Sequence, residues 1–581
     1  MLRLGRVSSV LRSLRTSVSS SYTFSISRVS LKTSACPPPC RARPLSTTAE
    51  SDDSLFNYTS GRWVYNDALR HKERHRPFNV TSLCRLAAQS VDRDPTDVLS
   101  ISKLDEGGFN RTFLITLRDG TKVVARIPYP VTVPDYNGVA SEVATIEYMR
   151  LHGIPVPEIY GYSAHADNAA ETPYIFMQYV QGEQLSEVWR NLKDEEVVDV
   201  IRQLTQLEAR MMALSFPAGG SIYFAKDLDY VAAGPGIPLE DDRFCIGPDT
   251  RLAMWYGRRA QLDVYRGPYK STEAALIAPA HKEMTYLKWF GQPLLPLRRE
   301  RRPSYEFQLQ SPSEHVEHLK QYLSVTPSLL PQDPALDRFC IRHPDLQPSN
   351  IFISRSPESG CRITSIIDWQ HTSILPMFIL AGIPQRLQNY GDDFSESMTP
   401  PSPPKNLEKL SEAERDRAEY VHWCRLVHYH YVNSTREYNP LHHAAFTDPL
   451  FAVRNRLFVH ASAPWEGESS DLKTTLIETA ENWNELSGGG APCPFSFDAQ
   501  DLRRTVARNV KLDEANRGFE LLQSGAGVAE EGWVRNEQYE SAFAFLSNVK
   551  EQGLKAAESA EEREEIMGHW PWDDMDEEKY M

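Results

Sequence analysis

Two short segments in the second half of the chain hold residue types that suit phosphoryl transfer. The segment 342–350 reads RHPDLQPSN and supplies His343, Asp345 and Asn350, and Asp368 follows the apolar run ITSII. Phosphoryl transfer depends mainly on positioning and charge neutralisation, and Mg²⁺ prefers hard oxygen ligands. We therefore predict Asp345 as the base that accepts the hydroxyl proton, with His343 beside it in the catalytic loop. We predict Asn350 and Asp368 as the Mg²⁺ ligands.

These side chains need a scaffold that brings the two segments together. The runs IFIS (351–354) and ITSII (363–367) are rich in β-branched residues and are predicted to pair as a hairpin. Such a hairpin would carry Asp368 to the edge of a cleft beside the 342–350 loop. The alternative is an ordinary loop with an Asp turn and a histidine whose hydrogen bonds are satisfied.

The segment from about 98 to 180 has the pattern of a small sheet. Five β-rich runs occur, and the third and fourth are separated by a predicted helix at about 139–152. The runs are VLSISKL (98–104), TFLITL (112–117), KVVARIP (122–128), IPVPEIYGYSA (154–164) and PYIFMQYV (173–180). We predict that residues 46–180 form an N-lobe of about five strands and one inserted helix.

Beyond residue 180 the apolar spacing becomes helical, which predicts a larger C-lobe over 181–568. Its features are predicted helices at 195–214, 407–435 and 535–566, an irregular and partly helical insert at about 225–335, a proline-rich loop at 397–406, and then an acidic tail at 569–581. The fold class that we predict is α+β. Two lobes are expected, because one hydrophobic core rarely serves a chain of 581 residues.

The bulk composition excludes several classes of protein. Hydrophobic residues make up 41% of the chain, which suits a globular protein. The net charge of −15 argues against nucleic-acid binding. No run of about 18 apolar residues occurs, so we predict no transmembrane segment.

The first 45 residues have the composition of a mitochondrial transit peptide. Seven Arg and one Lys precede the first acidic residue, Glu50. Leu4, Val7, Leu11 and Leu14 form one helical stripe flanked by arginines. We therefore predict localisation to the mitochondrion, in the matrix. A disordered basic tail is the alternative.

The motifs RHPDLQPSN and IIDW together resemble the aminoglycoside phosphotransferase family of kinase-like enzymes. The sequence that flanks these motifs resembles a fungal mitochondrial branch of that family, over about residues 55–560. The quoted flanks are SEVATIEYMRLHGIPVPEIYGYS, PYIFMQYVQGEQLSEVW and IIDWQHTSILPMFILAGIP. The resemblance implies a bilobal protein-kinase-like fold, with a small β-rich N-lobe and a large, mostly helical C-lobe with insertions. It also implies ATP between the lobes and Mg²⁺ as cofactor.

The resemblance further implies a set of nucleotide-binding residues in the N-lobe. DEGGFN (105–110) is similar to a phosphate-covering loop, and MQYV (177–180) to a hinge that bonds adenine. Arg126 takes the place of the phosphate-holding lysine, which departs from the protein-kinase pattern. Glu142 is its predicted partner, and Glu147 is the competing candidate. The implied binding residues are Gly107, Gly108, Phe109, Asn110, Arg126, Glu142, Gln178 and Val180.

Three functions follow from these expectations. The first is an ATP- and Mg²⁺-dependent phosphotransferase that acts on a hydroxyl of a small molecule, which the sequence does not identify. The second is a pseudokinase that binds nucleotide or a partner, which Arg126 and the incomplete glycine loop favour. The third, a protein kinase, ranks last because no DFG or APE signature follows Asp368.

Overall fold

The computed structural model describes residues 54–228, 236–356 and 360–581. The predicted transit peptide at 1–45 lies outside the described residues. Within that part of the chain, no helix combines the length and the apolar character needed to cross a membrane.

The N-lobe is built on a five-stranded antiparallel sheet. Its strands, in spatial order, are β2 (Val98–Glu106), β3 (Asn110–Leu117), β4 (Lys122–Pro128), β6 (Tyr174–Gln178) and β5 (Ile159–Ser163). In β3, buried and more exposed residues alternate without a break, as expected of a strand with one face on a core. Strand β1 (Gly61–Trp63) precedes these five strands in the chain.

Three helices accompany this sheet: α1 (Asp67–Arg74), α2 (Val80–Ser90) and α3 (Asp135–Leu151). One face of the sheet packs on α2 through a core that includes Phe113 and Ile115. The other face packs on α3, where Val124 of β4 lies in one cluster with Val143. Because strand side chains alternate, Arg126 lies on the same face as Val124. Helix α3 begins four residues earlier than predicted, directly after Pro134.

The C-lobe is mostly helical and holds the largest hydrophobic core. Its helices are α4 (Leu185–Val188), α5 (Asp194–Ala213), α6 (Ala225–Leu228), α7 (Thr272–Phe290), α8 (Pro312–Val325), α9 (Pro334–Asp337), α10 (Met377–Leu380), α11 (Asp393–Glu396), α12 (Glu412–Tyr438), α13 (Pro440–Thr447), α14 (Phe451–Ser462), α15 (Ser470–Glu481), α16 (Trp483–Leu486), α17 (Ala499–Ala526), α18 (Asn536–Ala556) and α19 (Ala560–His569). The segment 225–335 contributes α7 and α8 to this core, through Leu276 and Tyr322 among others. The proline-rich stretch 399–406 contains no helix or strand.

Short strands complete the C-lobe. The hairpin of β12 (Ile351–Ser356) and β13 (Gly360–Ile366) forms as predicted, and it pairs with β7 (Glu183–Gln184). The remaining strands are β8 (Ser221–Phe224), β9 (Ile237–Pro238), β10 (Phe244–Gly247), β11 (Phe339–Ile341), β14 (Ile374–Pro376) and β15 (Trp533–Arg535). Together with the N-lobe sheet, this architecture confirms the predicted α+β bilobal fold.

The two ends of the described chain are in contact with each other. Strand β1 pairs antiparallel with β15, although about 470 residues separate them. Asn66 donates a hydrogen bond to Glu577 at 2.7 Å, and Trp572 is buried in the same small core as Val64. The acidic tail is therefore packed against the N-terminal segment rather than left in solvent.

Candidate active site

The loop 342–350 connects β11 to β12 and presents Asp345 to solvent. Two amide side chains fix its carboxylate. Gln347 donates to Asp345 Oδ2 at 2.6 Å, and Asn350 donates to the same oxygen at 3.2 Å. Asp345 is therefore an exposed carboxylate with a defined orientation and a second oxygen that neither amide occupies.

His343 ties this loop to the segment that carries Asp368. Its Nδ1 accepts a hydrogen bond from the backbone N–H of Asp345 at 3.1 Å, so the proton is on Nε2, which donates to the carbonyl of Ile367 at 3.0 Å. Burial lowers the pKa of His343 to about 4, so the ring is neutral at physiological pH. His343 is predicted to be catalytic, but both of its ring nitrogens are engaged within the protein.

Asn350 and Asp368 are brought together by the register of the hairpin. Ile351 pairs with Ile366, and the backbone N–H of Ile367 donates to the carbonyl of Asn350 at 2.9 Å. The next residue, Asp368, has φ +66°, a left-handed conformation that is uncommon outside glycine. At Asp368 the chain therefore leaves the strand direction, next to the end of the loop 342–350.

Two side-chain groups at this point carry oxygens of the types that hard divalent cations prefer. The Asn350 amide nitrogen donates to the carbonyl and to the carboxylate of Asp345, at 2.9 and 3.2 Å. Its amide oxygen therefore faces away from Asp345. The Asp368 side chain is 40% exposed, so solvent reaches part of it although Oδ1 is bonded to Arg126. One amide oxygen and one carboxylate are ligand types that Mg²⁺ accepts, usually with several waters.

Arg126 lies between the N-lobe and Asp368. Its Nη1 bonds the carboxylate of Glu142 in α3, and its Nη2 donates to Asp368 Oδ1 at 2.6 Å. Burial alone would raise the pKa of the Asp368 carboxyl, but the guanidinium outweighs it, and the pKa is lowered below its ordinary value. Asp368 is therefore ionised at neutral pH, and Arg126 links both lobes through two carboxylates.

Of the two glutamates considered as the partner of Arg126, the structure pairs Glu142. The Glu142 side chain is 3% exposed, so its charge is nearly removed from water. Glu147 lies further round α3 and pairs with Arg150 at 2.6 Å. A buried carboxylate without a cation would be costly, so Glu142 and Arg126 depend on each other.

Gln370 is a site residue that was not predicted from the sequence. Its Oε1 accepts from Arg126 Nη2 at 3.1 Å and from Asn110 Nδ2 at 2.6 Å. It therefore connects the N-lobe loop, the arginine and the segment that follows Asp368. Its place two residues after Asp368 was the only signal available in the sequence.

The segment 107–110 forms a tight turn between β2 and β3. The N–H of Gly107 donates to the carbonyl of Asn110 at 2.9 Å. The carbonyl of Phe109 accepts from the Tyr129 N–H at 2.9 Å, while the Phe109 side chain is 39% exposed. A Cβ added at Gly108 would meet no atom within 4 Å. Packing among the described residues therefore does not itself demand glycine at that position.

The hinge candidates lie at the end of β6. The N–H of Gln178 is used within the lobe, since it donates to the carbonyl of Glu158 at 2.8 Å. Val180 lies two residues beyond and is half-buried. In the described part of the chain, no hydrogen bond to its backbone is formed.

Comparisons with known proteins show the family of this chain. The phosphotransferase enzyme family matches residues 100–378, a range that contains Arg126, Asp345 and Asp368. A subtelomeric hrmA-associated cluster protein of Aspergillus fumigatus is 30% identical over 506 residues, which cover 82% of this chain and 97% of that protein. The chain therefore belongs to the phosphotransferase enzyme family, which confirms the resemblance seen in its motifs.

Two further proteins are similar. The mitochondrial protein altered inheritance of mitochondria protein 9 of Saccharomyces cerevisiae is 22% identical, over 86% of this chain and 89% of that protein. Among solved structures, the streptomycin–ATP ternary complex of APH(2")-IIa aligns with 70% of this chain and 98% of that chain. Its identity is 11% and its TM-score 0.33.

Proposed function

We propose that this protein transfers the γ-phosphoryl group of ATP to a hydroxyl of a small molecule, with Mg²⁺ as cofactor. One observation carries the proposal: His343 links the loop of Asp345 to the strand end of Asp368, where Arg126 meets it from the other lobe. Structural packing alone does not require a base, two metal-type oxygens and a cation to converge in this way. Membership of the phosphotransferase family supports the same reaction class.

In the proposed reaction, the hydroxyl oxygen of the acceptor molecule bonds to the γ-phosphorus of ATP. Asp345 accepts the proton that this hydroxyl loses. The bond between that phosphorus and the β–γ bridging oxygen breaks, and ADP leaves. Asn350 and Asp368 would hold Mg²⁺, which when bound would supply charge neutralisation at the phosphates. Arg126 would bond the phosphates through Nη2, while Glu142 retains Nη1. His343 positions Asp345 without exchanging a proton.

The nucleotide would lie between the lobes. The turn 107–110 would cover the phosphates with the N–H groups of Gly107 and Gly108, together with Phe109 and Asn110. Gln178 and Val180 would border the adenine, with the Val180 backbone bonding its edge. These assignments rest on the resemblance of the motifs, and for Asn110 also on its contact with Gln370 beside Arg126.

We also propose that the protein works in mitochondria, with the matrix as its compartment. The arginine-rich, acid-free segment 1–45 supports this location. So does the similarity to a yeast protein that carries a mitochondrial name.

Calorimetric titration of ATP into the full chain, with and without Mg²⁺, tests the proposal. We expect Mg²⁺ to strengthen binding, and Asp368→Asn to weaken the Mg²⁺-dependent binding by roughly tenfold or more, because a metal ligand is lost. Asp199→Asn is the matched control, since Asp199 is 50% exposed and pairs with Arg202 in the next turn. Absence of ATP binding in both conditions would overturn the proposal.

A pseudokinase is the second candidate, and the contact between Arg126 and Asp368 favours it. An arginine that permanently occupies the metal-binding carboxylate would leave a protein that binds nucleotide weakly or without Mg²⁺. ATP binding that is indifferent both to Mg²⁺ and to Asp368→Asn would support this second function over the first.

A further inference from the structure

We propose that Gln370, acting with Asn110, is the positioning residue that orients the Arg126 guanidinium toward bound phosphate. This inference rests on the proposed function and adds to it a role for two neutral side chains. Gln370 is 7% exposed and Arg126 is 8% exposed, so their contact is almost completely removed from water. Hydrogen bonds to a charged group are worth more there than at the surface.

Arginine Nη2 carries two N–H groups, and both are used. One donates to Asp368 Oδ1 at 2.6 Å and the other to Gln370 Oε1 at 3.1 Å. When Asp368 turns to a metal ion, the first N–H loses its partner and becomes available to a phosphate oxygen. The second N–H keeps its bond to an amide oxygen, that of Gln370 or, with both amides turned over, that of Asn110, so the plane of the guanidinium remains fixed.

The amide pair provides an acceptor in either of two arrangements. In one, Asn110 Nδ2 and Arg126 Nη2 both donate to Gln370 Oε1, but Asn110 Nδ2 then also faces the Arg126 nitrogens, donor against donor. With both amides turned over, Gln370 donates to Asn110 Oδ1, which then also accepts from Arg126 Nη2 at 2.7 Å and from Nε at 3.2 Å. One amide oxygen therefore always holds the arginine, and because it is neutral it adds no repulsion toward phosphate.

This arrangement explains how an arginine can stand where related kinases carry lysine. A lysine ammonium is a point charge that Glu142 alone can direct. A guanidinium bonded only through Nη1 could rotate about its contact with Glu142. A second contact on Nη2 removes that freedom, and the paired amides of Gln370 and Asn110 supply a contact that does not depend on Asp368.

A double-mutant cycle tests whether Gln370 acts through Arg126. The cycle consists of the full-length wild type, Gln370→Met, Arg126→Lys and the double variant, each titrated with ATP and Mg²⁺ by calorimetry. We expect Gln370→Met to weaken binding roughly tenfold in the wild-type background, as the loss of one hydrogen bond to a charged group implies. In the Arg126→Lys background it should have no further effect. Gln538→Met, at an exposed glutamine of α18, controls for the loss of an amide.

A merely structural role would give a different result. If Gln370→Met weakens binding by the same factor in both backgrounds, or in neither, Gln370 does not act through Arg126 and the inference is overturned. If wild type binds ATP normally, that failure leaves the proposed function intact; if wild type binds no ATP, both fail. Should Gln370→Met not fold, Gln370→Asn withdraws the same amide by one methylene group, and the same cycle applies.

Discussion

Replacing Arg126 by lysine makes the chain more like a protein kinase in sequence, but we predict that it lowers the stability of the protein and weakens its binding of ATP. In the wild type, Arg126 bonds Glu142 through Nη1 and both Asp368 and Gln370 through Nη2. A lysine keeps the positive charge but offers one compact ammonium on a different stem. It can satisfy the buried Glu142 carboxylate, but not all three acceptors at once.

The structure sets the size of the effect. Two hydrogen bonds from Nη2 are lost, and bonds to charged groups contribute about 1.5–3 kcal/mol each. The Asp368 carboxylate is 40% exposed, so its share must be discounted for solvent screening. We therefore expect the lysine variant to be destabilised by about 2 kcal/mol. Arg126→Met should cost more, about 3–5 kcal/mol, because it leaves Glu142 buried without a cation.

Thermal unfolding and calorimetry measure these effects. The unfolding temperature should fall in the order wild type, Arg126→Lys, Arg126→Met, and ATP binding with Mg²⁺ should be roughly tenfold weaker in the lysine variant. Arg150→Lys is the control, since Arg150 lies on the same helix as Glu142 and pairs at the surface with Glu147. A lysine variant that binds ATP as tightly as wild type would refute the argument that this site is built for arginine.

Two further predictions concern the supports of the site. Glu142→Gln should weaken ATP binding and lower the free energy of unfolding by about 2 kcal/mol or more. Glu147→Gln on the same helix should leave the free energy of unfolding within about 0.5 kcal/mol of wild type. Calorimetry and thermal unfolding measure both variants, and equal effects would contradict the assigned ion pair. The pKa of His343 is lowered to about 4 from an ordinary 6.5. The contribution of its neutral ring to the free energy of unfolding is therefore fully present above pH 6.5 and is lost as the pH falls toward 4. The stability advantage of wild type over His343→Gln should therefore shrink, by at most about 3 kcal/mol, between pH 6.5 and 4, and an advantage independent of pH would contradict a neutral buried ring.

Local pattern was sufficient to predict the scaffold of the site. The alternation of β3 and the β-branched runs of β12 and β13 carry their own signal, since each strand faces a core on one side. The spacing within RHPDLQPSN and the following IIDW also indicated which residues would meet.

Other features have no local signal. Helix α17 has 28 residues but buries only Thr505 and Leu512, so its sequence lacks the apolar stripe that predicts a helix. The pairing of β1 with β15 joins residues too far apart in the chain for any window to detect. Gln370 is an ordinary polar residue in the sequence, and only the positions of Arg126 and Asn110 in space give it a role.

Transfer of label from γ-³²P-ATP to the small molecules of a mitochondrial extract tests the proposed phosphotransferase most directly. Wild type and Asp345→Asn are compared at equal concentration, after calorimetry has established that both bind ATP with Mg²⁺. The phosphotransferase account predicts a labelled species of low mass with wild type and its loss with Asp345→Asn, because Asn cannot accept the hydroxyl proton. Nucleotide binding by both proteins, with no wild-type label above that of Asp345→Asn, would contradict it and leave the pseudokinase as the function of this fold.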